Sequence, residues 1–151
     1  MTKTDISSLL PEELAEYLAG LSEKSGVKIE KFRAKQIFSW LAKGVHSFDE
    51  MTNVSAAIRK VLDEDAYISA PKIHTKLVSQ IDGTVKYLFE LADGERVESV
   101  FMRYEHGNTV CISTQAGCRM GCTFCASTLN GLTRNLSASE MAGQLIAAQN
   151  D

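Results

Sequence analysis

All four cysteines of the chain fall between residues 111 and 125, and three of them keep the spacing Cys118-x3-Cys122-x2-Cys125. The residues before Cys111 contain none. This distribution constrains the fold more than any other feature. A disulfide scaffold spreads its cysteines to staple distant loops, whereas thiols gathered on one loop point to a metal or a redox task in a reducing cytosol.

The spacing separates the candidate metals. A closed structural zinc site takes four ligands, usually as two C-x2-C pairs. A second pair is missing here, so zinc would have to recruit Cys111 or His106. A cubane iron–sulfur cluster held by three cysteines keeps one iron without a protein ligand, open to a small molecule with amino and carboxylate groups. S-adenosylmethionine is such a molecule, and an electron passed to its sulfonium breaks a C–S bond to give a carbon radical. The spacing favours the cluster over zinc and over free thiols. It requires that the three thiols can share one inorganic centre. Phe124 is placed to shield that centre from water, and Gly117 and Gly121 give the backbone freedom to curl around it.

The rest of the composition excludes more than it specifies. The 151 residues are 44% hydrophobic and 23% charged, with a net charge of -3. Nucleic-acid binding therefore has to rest on a local patch. No apolar run reaches the roughly 18 residues of a membrane span, and MTKTDISSLL has no export pattern.

Residues 1–66 read as helical. Pro11 suits a first helical position, and Leu10, Leu14, Tyr17, Leu18 and Leu21 share a face up to a break at Ser25-Gly26. A second helix is expected over Glu30–Lys43, burying Phe32, Ile37, Phe38 and Leu41, with Gly44 as its stop. Ser47 and Glu50 have capping-box spacing, and a further helix from Ser55 presents Val54, Ile58, Val61 and Leu62. The boundary is placed in the polar stretch between Asp63 and Pro71. From 71 to 151 the period changes to two. Strands are expected over Lys72–Ile81, Val85–Leu91, Arg96–Tyr104 and Thr109–Thr114, turned by Asp82-Gly83 and Asp93-Gly94. Ser137 and Glu140 then cap a helix carrying Met141, Leu145 and Ile146. One strand–helix unit cannot bury both faces of a parallel sheet, so these residues are expected to be the front part of a longer protein.

Cys118-Arg119-Met120-Gly121-Cys122-Thr123-Phe124-Cys125 resembles the signature of radical S-adenosylmethionine (SAM) enzymes. The stretch from Cys111 to Gln144 is similar to one family among them, the RlmN adenine carbon-2 methyltransferases of bacterial 23S rRNA and tRNA. Thr114-Gln115-Ala116-Gly117 and Gly131-Leu132-Thr133-Arg134-Asn135-Leu136 flank the motif as in that family, and Phe32–Ser55 resembles its amino-terminal domain. The resemblance implies an α/β fold. A helical accessory domain precedes the first strands, cluster loop and helix of a radical SAM partial (β/α) barrel, truncated here.

It also implies roles. Cys118, Cys122 and Cys125 would hold one [4Fe-4S] cluster that binds SAM. Cys111 matches the cysteine that forms a transient disulfide with a methyl-carrying cysteine far toward the carboxyl end, which this sequence lacks. From sequence alone, Cys111 reads rather as a buried strand residue. Glu98 matches the proton acceptor; it shares a strand face with Val100 and Met102, and apolar neighbours would raise its pKa. Without the resemblance, Glu98 reads as a solvent-facing glutamate on an edge strand. Lys28, Lys31, Arg33, Lys35 and Lys43 stand against Glu30 alone, a candidate RNA contact or a solvated helix face. Trp40 and Phe38 are read as buried rather than stacked on bases, and Arg119, Arg134, His46, His74 and His106 receive no role. The implied partners are 23S rRNA, tRNA and an electron-donor protein in the cytoplasm. Two rivals stand beside this reading: a carbon-8 methyltransferase of the same adenine, and a zinc-stabilised RNA-binding module without catalysis.

Overall fold

The computed structural model describes residues 3–151. The chain divides into one compact unit ending at Ala70 and a second over Pro71–Asp151.

The first unit runs β1 (Thr4–Asp5), a 3-10 turn, α1 (Pro11–Ser25), α2 (Phe32–Ala42), a second 3-10 turn at Phe48–Glu50, α3 (Ala56–Asp65) and β2 (Ala66–Tyr67). The two short strands pair in parallel, Thr4 opposite Ala66, a contact that no alternation in the sequence signalled. Pro11 opens α1, the Leu10 amide donates to Glu13 Oε2 at 2.8 Å, and Gly26 closes the helix at φ 70°. Leu14, Leu18 and Leu21 go inward and meet Ile37, Met51, Val54, Ile58 and Leu62. The expected burial of α2 is corrected. Ala34 and Ile37 are its buried residues, whereas Phe32 is 53% exposed and Phe38 37% exposed. At about 100° per residue, Ala34, Ile37 and Leu41 form one stripe and Phe32 lies opposite it.

The second unit begins with an antiparallel meander of β3 (Lys72–Val78), β4 (Val85–Glu90), β5 (Arg96–Tyr104) and β6 (Gly107–Cys111). Val85, Tyr87, Phe89 and Leu91 are buried together with Val97, as the alternation predicts. Ala116, Leu136 and Ala148 complete this core. Two boundaries differ from expectation by three residues, the others by two or fewer. The first strand stops at Val78 rather than Ile81, and the fourth stops at Cys111 rather than Thr114. The chain then resumes as β7 (Gln115–Gly117), which pairs antiparallel with β8 (Leu132–Asn135), and ends in α4 (Ala138–Asn150). The β7–β8 pair closes the neck of the cysteine loop. The expected capping box is present, with the Glu140 amide donating to Ser137 Oγ and the Ser137 amide donating to Glu140 Oε2.

Candidate functional site

In the β4–β5–β6 register, Leu88 stands opposite Glu98, Lys86 opposite Val100, and Val100 opposite Cys111. Directly paired residues of an antiparallel ladder point to the same face. Glu98 and Cys111 therefore share one face of the sheet, on the side away from Val97 and Ser99, and both are exposed. Diagonal neighbours of this kind lie about 7–8 Å apart, with Cβ atoms somewhat closer. The buried-strand reading of Cys111 is overturned, because that face of the meander carries no covering core.

The setting of Glu98 also corrects an expectation. Val100 and Met102 do share its face, but Lys86 reaches across from β4 and pairs with it, Nζ to Oε1 2.7 Å, and the carboxylate is half exposed. Glu98 is thus a solvated, cation-paired carboxylate rather than one surrounded by apolar groups.

The cysteine loop leaves the sheet two residues after β7's buried Ala116. Gly117 adopts φ 72°, and a Cβ placed there would lie 2.1 Å from the Gly131 carbonyl oxygen. The Cys118 amide donates to that same carbonyl at 2.9 Å, so only glycine lets the two strands of the neck close. Gly121 turns at φ 70°. The Cys125 amide donates to the Cys122 carbonyl at 3.1 Å, and Thr128 Oγ1 donates to the Cys125 carbonyl at 2.9 Å.

All four thiols are free. Cys118 and Cys125 are half-buried and Cys122 is exposed. The donor chemistry fits a thiolate-bound iron–sulfur centre: three unpaired thiols on one glycine-hinged loop with an accessible mouth. As they stand, however, no three His, Cys, Asp or Glu side chains among the described residues converge to hold a metal ion. Phe124 does not shield the loop. It is 91% exposed, as are Met120 and Leu129 for the most part.

Several functional neighbours were not found by reading the sequence. Lys86 is one. Gln144 is another: it sits fully buried on α4, while Leu145, one of the apolar residues named on that helix, is exposed. The available signal was its helical spacing from Glu140. Arg134 is committed to structure, donating from Nε to Asp93 and from both Nη atoms to Glu140.

On the first unit, Lys28 lies 3.8 Å from Glu30, and Arg33 donates to Gln36 and to the Asn53 carbonyl while covering the Phe32 ring at 4.7 Å. Lys31 and Lys35 are exposed. Trp40 is half-buried and donates to Asn53 Oδ1 at 2.6 Å.

No helix among the described residues is long and apolar enough to cross a membrane. Residues 4–68 match the family model described as the ribosomal RNA large subunit methyltransferase N-terminal domain. The chain is 55% identical, over its whole length, to a probable dual-specificity RNA methyltransferase RlmN of Alkaliphilus oremlandii, covering 42% of that protein. It is 51% identical to the corresponding protein of Alkaliphilus metalliredigens, covering 41% of it. Among solved structures, a radical SAM methyltransferase from Sphaerobacter thermophilus superposes on 97% of this chain and 42% of its own, with a TM-score of 0.82 and 36% identity. The chain therefore spans about two fifths of the length of these relatives.

Proposed function

This chain belongs to the RlmN family, and from that premise we propose that it forms part of a radical SAM methyltransferase that acts on carbon 2 of an adenine in 23S rRNA and in tRNA. The single observation that carries the reading is the shared sheet face of Glu98 and Cys111, one strand from the loop that bears the other three thiols.

Cys118, Cys122 and Cys125 would hold a [4Fe-4S] cluster whose open iron takes SAM. When bound, that pair supplies one-electron cleavage of the sulfonium to a carbon radical. This chain's own residues do the remaining work. The Glu98 carboxylate accepts the proton leaving carbon 2. The exposed Cys111 thiolate attacks the sulfur of a methyl-carrying cysteine supplied by the part of the enzyme outside this sequence. A disulfide forms as the bond from that sulfur to the RNA-bound CH2 breaks, the bonding pair passes to the carbon, the proton given up by the Cys111 thiol completes the methyl group, and the methylated RNA leaves. Lys28, Lys31, Arg33 and Lys35 give the helical unit a local positive charge for the RNA backbone, Lys31 and Lys35 being exposed. The electron comes from a donor protein, and the enzyme works in the cytoplasm.

The test uses the full-length protein, purified without oxygen. A brown preparation with iron and sulfide supports the cluster, and Cys122→Ala should bleach it. A colourless protein holding one zinc identifies a non-catalytic RNA-binding module and overturns the reading. Nucleosides from cells with and without the gene decide the position: disappearance of 2-methyladenosine supports carbon 2, and disappearance of 8-methyladenosine replaces it with carbon 8.

A further inference from the structure

The three-residue gap between β6 and β7, Ile112 to Thr114, is where the chain passes from Cys111 toward the cysteine loop, outside either strand. The β5–β6 ladder ends at the pair Val100 and Cys111. Beyond it the Leu136 amide donates to the Thr114 carbonyl at 2.9 Å, and Ser113 is held by a side chain from α4. Gln144, 0% exposed, accepts from the Ser99 hydroxyl at 2.6 Å and from the Ser113 amide at 2.9 Å through Oε1. Its Nε2 donates to the Ser113 carbonyl at 2.9 Å and to the Glu140 carbonyl at 3.1 Å. The amide's hydrogen-bonding capacity is thus fully used. Ser113 in turn donates its hydroxyl to the backbone carbonyl of Glu98 at 2.7 Å.

We propose that Gln144 is a positioning residue that fixes Glu98 and Cys111 relative to the cysteine loop, an inference that rests on the functional reading above. The connection is physical and continuous. At one end Gln144 holds Ser99 and Ser113, which adjoin Glu98 and follow Cys111. At the other, its own helix is tied through Glu140 to Arg134 on β8, the outer strand of the loop's neck. A buried amide is an expensive occupant of a helix face unless every polar atom is paired. An aliphatic residue would fill the same space, but it would strand the Ser99 hydroxyl and both backbone groups of Ser113. The strand exit would then move to find partners, carrying Cys111 and Glu98 with it.

The experiment compares full-length wild type with Gln144→Met, which keeps the volume, and Gln144→Glu. Hydrogen exchange should accelerate over residues 98–100 and 111–115 in Gln144→Met while β3 and β4 exchange as in wild type. Iron content after reconstitution should match wild type. The kcat for RNA methylation should fall at least about tenfold with KM for RNA unchanged, the expected cost of misplacing reacting groups. A protonated carboxyl keeps one acceptor and one donor, so Gln144→Glu should regain part of its kcat toward acidic pH, and Gln144→Met should not.

Wild-type kcat in Gln144→Met overturns the proposal, and so does exchange raised uniformly across Pro71–Asp151, which would make Gln144 a general stability residue. If Gln144→Met does not fold, Ser113→Ala, which removes only the bond to the Glu98 carbonyl, carries the same comparison. Glu98→Gln and Cys111→Ser are measured alongside. If both methylate at the wild-type rate, the functional reading has failed and the proposal falls with it, whatever the exchange data show.

Discussion

Arg134 meets Glu140 through two parallel contacts of 2.8 Å, Nη1 to Oε2 and Nη2 to Oε1, and its Nε reaches Asp93 at 2.7 Å. The Arg134 hydrogen bonds hold the Glu140 carboxyl below the usual glutamate range, against the opposing effect of burial. A carboxylate depressed in the folded state adds stability above its unfolded pKa of about 4.3, and that stability is lost as pH falls through the folded value. The thermal midpoint of wild type should therefore drop as the solution is acidified below the ordinary glutamate range. Glu140→Gln should flatten that drop, and an unchanged slope would show that the pair contributes no such linkage. Arg134→Met leaves Glu140, with an 8% exposed side chain, buried without its cation and with the Ser137 amide as remaining donor. It should cost about 2–3 kcal/mol in denaturant unfolding, less than a fully buried pair because Arg134 itself is a third exposed.

Gly117 closes the neck of the cysteine loop in a left-handed conformation with no room for a Cβ. Gly117→Ala should cost about 1–3 kcal/mol from backbone strain, before the clash with the Gly131 carbonyl is counted. Because the clash lies at the neck, the deficit should appear as lost iron in the reconstituted full-length protein at temperatures where circular dichroism is still native. Iron content equal to wild type would show that the loop can re-route.

How much of this was legible in the sequence follows from where the information sits. The α1 stripe of Leu14, Leu18 and Leu21, the β4 alternation and the caps at Pro11, Gly26 and Ser137 are local patterns, and each is found in the structure as read, although Leu10, expected on the same face of α1, is 62% exposed. Phe32 was misjudged because a hydrophobic side chain gives no sign of which way a short helix faces until its neighbours are known. The break after Cys111 was missed for a related reason. Val110, Ile112 and Thr114 continue a period of two, but Gln144, distant in sequence, captures Ser113 and ends the ladder. Glu98's environment was misread because its partner Lys86 lies on another strand, and cross-strand diagonals are invisible before register is known.

Tyr17 links α1 to the end of α3 by donating its hydroxyl to Asp65 Oδ2 at 3.0 Å. Burial, and then the Asp65 carboxylate, push the phenol up to about 12. A group raised in the folded state gives stability present below its unfolded pKa, near 10, and lost as pH rises through the folded value. The helical unit should therefore lose stability between about pH 10 and 12, and Tyr17→Phe should lose less over that window. A Tyr17 absorbance transition at the ordinary phenol value in native protein would contradict this.

Phe32 exposes half its surface on the same side of α2 as Lys35, with the Arg33 guanidinium over one face of its ring. A ring with a cation on one face and solvent on the other can stack an unpaired base, and such a contact is worth about 1–3 kcal/mol. In the full-length enzyme, Phe32→Ala should weaken RNA binding about tenfold at every salt concentration. Lys31→Ala and Lys35→Ala should instead lower the slope of log affinity against log salt by about 0.7–0.9 each, because each removes one phosphate contact. Filter binding of an RNA substrate across a salt series measures both. If Phe32→Ala changes the slope and not the intercept, or if the lysine variants leave the slope alone, the face does not meet RNA.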